Sequence, residues 1–258
     1  MLGRVAPGLL ASWSARRTRR HIAGFEQRLG LWETAARLAS MTGSTVMAGP
    51  FAGMAYPATV AQRHGAPKLV GSYEQELHPV VERLAAHPPS RVVDIGAAEG
   101  YYAVGLALRM PQAHVVGFET DPEERAQSQA MARLNGVADR LALHGRCTPA
   151  RLGDALVPGA VVVCDCEGYE AVLLDPVAVP GLASCTILVE LHEQQAPGVT
   201  ALMRARFGAT HAETLVTAEP RDPDAYPLLS VLPPAERARA VNEFRHDGQQ
   251  WLLWDPRP

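Results

Sequence analysis

Five residues of this chain have the types and spacing to do chemistry together: Asp94, Glu119, Asp165, Glu190 and His192. Glu190 and His192 stand two apart in "ILVELHE", so on an extended chain their side chains share one face. With Asp165 they make two carboxylates and an imidazole, donors that a divalent ion accepts. Such an ion orients a hydroxyl and lowers its pKa. Without an ion, His192 is the residue type that acts as general base toward a hydroxyl. In a third reading Glu190 and His192 only hydrogen-bond to each other and to loop backbone. All three stand open, and the donor mix does not choose among Mg²⁺, Mn²⁺, Zn²⁺ and Fe²⁺.

Asp94 and Glu119 flank a second feature. Gly96-Ala97-Ala98-Glu99-Gly100 keeps side chains small where a strand turns into a helix. That turn aims backbone N–H groups and a helix N-terminus at a ligand and lets it approach closely. The dinucleotide pattern Gly-x-Gly-x-x-Gly is missing, and Glu99 sits awkwardly for a pyrophosphate. A ligand with a cationic amine and a sulfonium tolerates that acid, and Asp94 adds a carboxylate nearby. Glu119 falls 25 positions after Asp94, in "GFETDP", where an acid accepts hydrogen bonds from both ribose hydroxyls. A helix cap is the alternative use of an acid there, and Asp121-Pro122 has that form. After Asp165 comes Glu167-Gly168-Tyr169-Glu170. Gly168 suits a turn closed to other residues. Glu167 either points into the site or, with Glu170, favours the N-terminus of the next helix.

A frame must bring these residues together. The spacing predicts helix Tyr73–Ala86, strand Arg91–Ile95, helix Tyr101–Met110, strand His114–Thr120 and helix Pro122–Asn135. Strand Leu141–Gly145, helix Pro149–Leu156, strand Ala160–Asp165, helix Tyr169–Leu174, strand Thr186–His192 and helix Val199–Phe207 follow. Strand then helix, five times over, predicts a parallel sheet with helices on both faces. The doubly apolar "VVVCD" is the mark of a central strand. Two closing strands, Ala212–Thr217 and Gln250–Trp254, lack a crossover helix. Gln250–Trp254 is therefore expected antiparallel between the fifth strand and Ala212–Thr217. A polar insertion separates them, with helix Pro234–Phe244 and Pro220–Pro234 looping out near the crevice. The chemical residues all fall at strand tips along the carboxyl edge, where open sheets bind ligands.

Residues 1–70 read as a helical and irregular segment that caps the site, ahead of a domain over 71–258. Ile22–Met41 has helical spacing, and Trp32, Phe51 and Tyr56 are either acceptor-pocket lining or core. The 258 residues are 47% hydrophobic and 20% charged, a soluble globular profile. A net charge of −3 gives no basic field for nucleic acid, and no apolar run nears the roughly 18–20 residues of a membrane span. Arg16, Arg17, Arg19 and Arg20 follow the apolar Leu9-Leu10 rather than precede it, unlike a secretory signal. They read as a solvated helix face, with a membrane surface or acidic partner as the alternative. Cys147, Cys164, Cys166 and Cys185 read as buried thiols of a reducing cytoplasm. Cys164-Asp165-Cys166 is too closely spaced for the usual zinc pair.

"VVDIGAAEGYYAVGLA", "VVGFETDPEERAQSQAMARLNGV", "VVVCDCEGYEAVLL" and "ILVELHE" together resemble class I S-adenosylmethionine-dependent methyltransferases. "DCEGYE" and "VELHE" are similar to the FkbM-like branch. Upstream, "GPFAGMAYP" and "KLVGSYEQEL" resemble segments that precede the core in some of those proteins. The resemblance spans about Gly49 to Trp254. It implies an α/β, Rossmann-like, seven-stranded and mostly parallel sheet with an antiparallel last strand. It also implies S-adenosylmethionine held by Asp94, Gly96, Ala97, Gly100, Tyr102, Glu119, Thr120, Arg146 and Asp165, with Tyr73 and Glu74 closing over its methionine end. The implied activity is O-methylation of a small-molecule or sugar-like acceptor. Asp165, Glu190 and His192 would be catalytic or hold a divalent metal, and the N-terminal helices could join a homo-oligomer. Two departures are Ala98 at a position usually glycine and "DCEG" for the more usual "DVEG". A methyltransferase-like binding module without turnover and an NAD(P)-dependent oxidoreductase are the alternatives.

Overall fold

Alternation of apolar side chains builds the sheet. In the computed structural model, which describes residues 30–243, 245 and 248–257, Val92, Val161, Val163 and Leu188 face one core, while Val93, Ile95, Val162, Ile187 and Val189 face another. The strands are β1 (Arg91–Ile95), β2 (His114–Phe118), β3 (Leu141–His144), β4 (Val161–Cys164), β5 (Thr186–Glu190), β6 (His211–Thr217) and β7 (Gln250–Pro256). Their order is β3-β2-β1-β4-β5-β7-β6. The first five run parallel, and β7 runs antiparallel to both neighbours, with Glu190 opposite Trp251 and Val216 opposite the same tryptophan. The expected placement of Gln250–Trp254 is found, with the strand two residues longer. Strand order reverses between β1 and β4, and a crevice opens there at the carboxyl ends.

The helices are α1 (Leu31–Thr42), α2 (Ala58–His64), α3 (Ala66–Val70), α4 (His78–Ala86), α5 (Tyr101–Arg109), α6 (Pro122–Leu134), α7 (Pro149–Ala155), α8 (Glu170–Leu173), α9 (Val199–Phe207) and α10 (Pro234–Ala240). The early segment is built into the main core: Leu38, Phe51, Met54 and Leu69 are buried in the same cluster as Val92 and Leu188. Phe51 sits edge-on to Tyr101 and Tyr102 at 5.0 and 5.7 Å, and Tyr56 is also buried. These two are core rather than acceptor lining. Among the described residues no helix is long and apolar enough to cross a membrane.

Three expectations are corrected. Tyr73 and Glu74 precede a helix rather than start one. Glu74 has φ +48, a 3₁₀ turn follows at Gln75–Leu77, and α4 begins at His78 with proline in its first turn. α10 stops at Ala240, short of Phe244, which lies outside the described residues, as do Arg16–Arg20 and 22–29 of the first expected helix. The stretch between β6 and β7 does not project. Arg221 Nε donates to the Ser72 carbonyl at 3.1 Å, and its guanidinium pairs with Glu76 at 2.6 Å and Glu243 at 2.7 Å, folding the stretch against the early segment.

Candidate active site

The turn after β1 touches the end of β4. A Cβ at Gly96 (φ +89) would lie 1.6 Å from the Asp165 carbonyl oxygen, so only glycine fits. Gly96 N and Ala97 N both donate to the Phe118 carbonyl, at 2.9 and 3.0 Å. Ala98 takes φ +45, which costs a non-glycine residue roughly 1–2 kcal/mol. In that conformation its N–H donates to Glu119 Oε2 at 3.0 Å. Glu74, Ala98 and Glu167 are three left-handed non-glycine residues around one crevice, the pattern of strain kept at a working site.

Glu119 falls just past the end of β2. Its Oε1 accepts from Asp121 N at 2.7 Å, which fixes the carboxylate and leaves lone pairs for two further donors. Thr120 is exposed beside it. Asp121 caps α6 by accepting from Glu123 N, so the cap and the candidate ribose acid are different residues.

A cavity of about 60 Å³ sits at the switch point, lined by Asp94, Gly96, Ala97, Tyr102, Asp165 and Glu190 from the sheet side and by Tyr73 and Glu74 from above. Glu74 accepts a hydrogen bond from the Tyr102 hydroxyl. Glu119, Thr120, Gly100, Arg146 and His192 lie outside that cavity. Gly100 (φ +103) packs on Ser128 at the start of α5, and exposed Arg146 lies 5.5 Å over the Tyr169 ring. Glu99, the acid of the turn, is buried and paired with Lys68 and with the Tyr56 hydroxyl. Tolerance for a cation therefore comes from Asp94 and Glu74 rather than from Glu99.

Asp94 is 3% exposed, and its Oδ2 has no hydrogen-bond partner among the described residues. Burial, then the charges of Asp165 and Glu119, push its carboxyl up to about 8. The folded protein thus keeps this proton over a range where the unfolded chain has released it, so stability falls as pH rises from about 4 to about 8. Asp94→Asn is expected to flatten that loss and to raise stability at pH 8 by about 2–5 kcal/mol in denaturant titrations. An unchanged pH profile would show that Asp94 is not the group responsible.

The second group converges as its spacing suggests, although His192 lies just past the end of β5. Donor atoms of Asp165, Glu190 and His192 all lie within 4.8 Å of one another. His192 Nδ1 is 2.7 Å from Glu170 Oε1, and Glu170 is fully buried. Nε2 lies 3.5 Å from Asp165 and 3.7 Å from the exposed Glu167. Burial opposes a charged ring, yet Glu170 and Asp165 hold His192 up at about 9. At neutral pH it is an imidazolium. Depth in the crevice and then Glu74 push Asp165 up to about 6, with His192 pulling it down. Burial raises Glu190 to about 9, helped by Asp165 and Glu74 and opposed by Arg245. Sequence reasoning misses Glu170, Lys68, Trp251 and Arg245 as site residues. Glu170 lies in "DCEGYE", where it reads as a helix-terminus acid, and Lys68 opens "KLVGSYEQEL", where it carries no assigned role.

No family model matches the chain. The chain is similar to trans-aconitate 2-methyltransferase of Methylobacterium radiotolerans, 34% identical over 100 residues, which is 37% of this chain and 38% of that protein. It thus matches well under half the length of that curated relative. Among solved structures it is similar to the O-methyltransferase from Bacillus cereus in complex with S-adenosylhomocysteine, at 11% identity and TM-score 0.47, covering 68% of this chain and 79% of that one. It is also similar to the O-methyltransferase TomG from Streptomyces achromogenes, at 15% identity and TM-score 0.46, covering 87% and 89%. The seven-stranded, mostly parallel sheet and the antiparallel β7 are those the resemblance implied. The fold is a Rossmann-like, seven-stranded sheet with helices on both faces.

Proposed function

We propose that the chain is an S-adenosylmethionine-dependent methyltransferase acting on an oxygen of a small-molecule or sugar-like acceptor. The observation that carries the reading is the unpartnered, buried Asp94 Oδ2 in a crevice at the strand-order switch, with Glu119 fixed at the neighbouring strand tip. A cationic amine beside the orphaned Asp94 oxygen would favour loss of that carboxyl's proton and pair with the carboxylate left, and a carboxylate with spare lone pairs at Glu119 fits a ribose. S-adenosylmethionine, when bound, supplies an electrophilic methyl on sulfonium sulfur. The chain's own part is to hold and align. Gly96 to Ala98 give close backbone approach, Glu119 accepts from ribose hydroxyls, and Tyr73 and Glu74 cover the methionine end. Asp165, ionised at neutral pH and standing at the crevice mouth, takes the acceptor proton on its carboxylate. His192, a cation anchored by Glu170, keeps that carboxylate ionised. Alignment accounts for most of the acceleration. The FkbM-like assignment draws support from the same contact, because it joins its two motifs, "DCEGYE" through Glu170 and "VELHE" through His192.

A second reading adds a divalent ion on Asp165, Glu190 and His192. Their convergence within 4.8 Å favours it, as does the carboxylate on His192 Nδ1, the usual support of a metal-binding imidazole. An ion there would lower the pKa of an acceptor hydroxyl. Arg245 Nη1, 2.9 Å from Glu190, competes with it.

Calorimetry with S-adenosylhomocysteine and NAD separates a methyltransferase from an oxidoreductase. The first should bind and the second should not. Glu119→Ala is expected to weaken S-adenosylhomocysteine by about 1.5–3 kcal/mol, the scale of a hydrogen bond to a charged group. Undiminished affinity would remove Glu119 from the cofactor site. Product formation with candidate acceptors separates an enzyme from a binding module.

A further inference from the structure

The end of the crevice beyond β4 already holds a cation. Arg245, between α10 and β7, places its guanidinium 4.9 Å from the Trp251 ring and 5.4 Å from the Tyr73 ring. Its Nη1 donates to Glu190 at 2.9 Å, its Nε donates to Glu243 at 2.8 Å, and its Nη2 pairs with Glu74. Glu190 and Trp251 face each other across β5 and β7, so the sheet itself sets acid beside aromatic face. Tyr73, Glu74, Glu190 and Trp251 all line the same cavity as Asp94, whose buried Oδ2 lacks a partner among the described residues. Aromatic faces and carboxylates together make a site for a planar or alkylated cation. The turn after β1 and Glu119 account for a cofactor at the other end. They do not account for an acid two strands, and an indole three strands, further along the sheet.

We propose that the acceptor end of this crevice is a cation subsite, filled here by the chain's own Arg245, and that the acceptor carries a guanidinium or protonated amine that takes its place. The word acceptor rests on the methyltransferase reading, whereas the cation site rests on geometry alone. The guanidinium is a side-chain tip, so exchange needs only that side chain to swing out. Glu74 would then be buried without a counter-charge, beside a Glu190 carboxyl that has lost its donor, an arrangement that is unfavourable unless another cation enters. A neutral ligand of the same shape cannot do this, and the subsite is selective for charge.

Methylguanidinium and its neutral isostere N-methylurea test the assignment by calorimetry, with and without S-adenosylhomocysteine. Arg245→Ala is expected to bind methylguanidinium one to one, at least about tenfold tighter than the native chain, and to ignore N-methylurea. Adding Glu190→Gln should cost that binding at least about tenfold. Arg245→Gln serves as a second variant that keeps the stem and some hydrogen bonding. In the native chain methylguanidinium must displace Arg245 and should bind weakly, yet still ahead of N-methylurea. Equal binding of the two probes in the native chain and in whichever variant folds would overturn the proposal, as would indifference to Glu190→Gln. Failure of S-adenosylhomocysteine to bind the native chain would instead overturn the methyltransferase reading, and the probe comparison would still decide the cation site.

Discussion

Asp165→Asn is expected to lower methyl-transfer turnover by roughly 10²–10⁴-fold, the range for removing a positioned general base, while leaving S-adenosylhomocysteine binding near that of the native chain. Asparagine keeps the side-chain shape and leaves the backbone carbonyl against Gly96 in place. It removes only the group that accepts a proton. With Asp165 pushed up to about 6, kcat/KM of the native chain should climb as pH rises through that value, as the carboxylate ionises. His192 pulls Asp165 downward, so His192→Gln should move the climb to higher pH. Exhaustive chelation is the accompanying control. Loss of turnover with S-adenosylhomocysteine binding intact would support an ion on Asp165, Glu190 and His192, and full activity would end that reading. Normal turnover in Asp165→Asn would take Asp165 out of the chemistry.

Gly96→Ala is expected to destabilise the fold by about 2–5 kcal/mol, with S-adenosylhomocysteine binding lost alongside. Two costs combine there. The residue has φ +89, and a Cβ would lie 1.6 Å from the Asp165 carbonyl, so the first turn and the end of β4 must separate. Gly136 is the matched control: it has φ +68, and a methyl added there would meet nothing within 4 Å, so Gly136→Ala carries only the backbone cost of about 1–2 kcal/mol. Denaturant titration of both variants isolates the clash. Equal losses would show that the two strand ends are not in contact as described.

The framework is legible because burial on alternating faces writes itself into local sequence. All seven strands stand where the alternation puts them, with ends off by at most two residues. Three of those end errors share a cause. Local pattern places Glu119, Asp165 and His192 on strands, but each lies just outside one, where the chain leaves the ladder. The contacts around the site are less legible. Glu170 looks like an acid at a helix start, and nothing local announces that it bonds to a histidine 22 positions later. Lys68 pairs with Glu99 across 31 positions and Arg245 with Glu74 across 171. No periodicity encodes such pairs, since they exist only once distant segments have closed on each other. Tyr73 and Glu74 read as helical for the same reason, because Arg245 and Tyr102 hold Glu74 in a conformation its neighbours do not dictate.

β7 lies inside the sheet although it is the last strand in chain order. During synthesis β5 and β6 therefore both leave the ribosome with an unmatched edge, and no earlier segment can fill the gap between them. The Trp251 wall of the crevice, facing Glu190, assembles only when Gln250–Pro256 arrives. The nascent chain carries two unpaired edges for the time needed to make more than thirty residues, and unpaired edges are where strands add to the wrong partner.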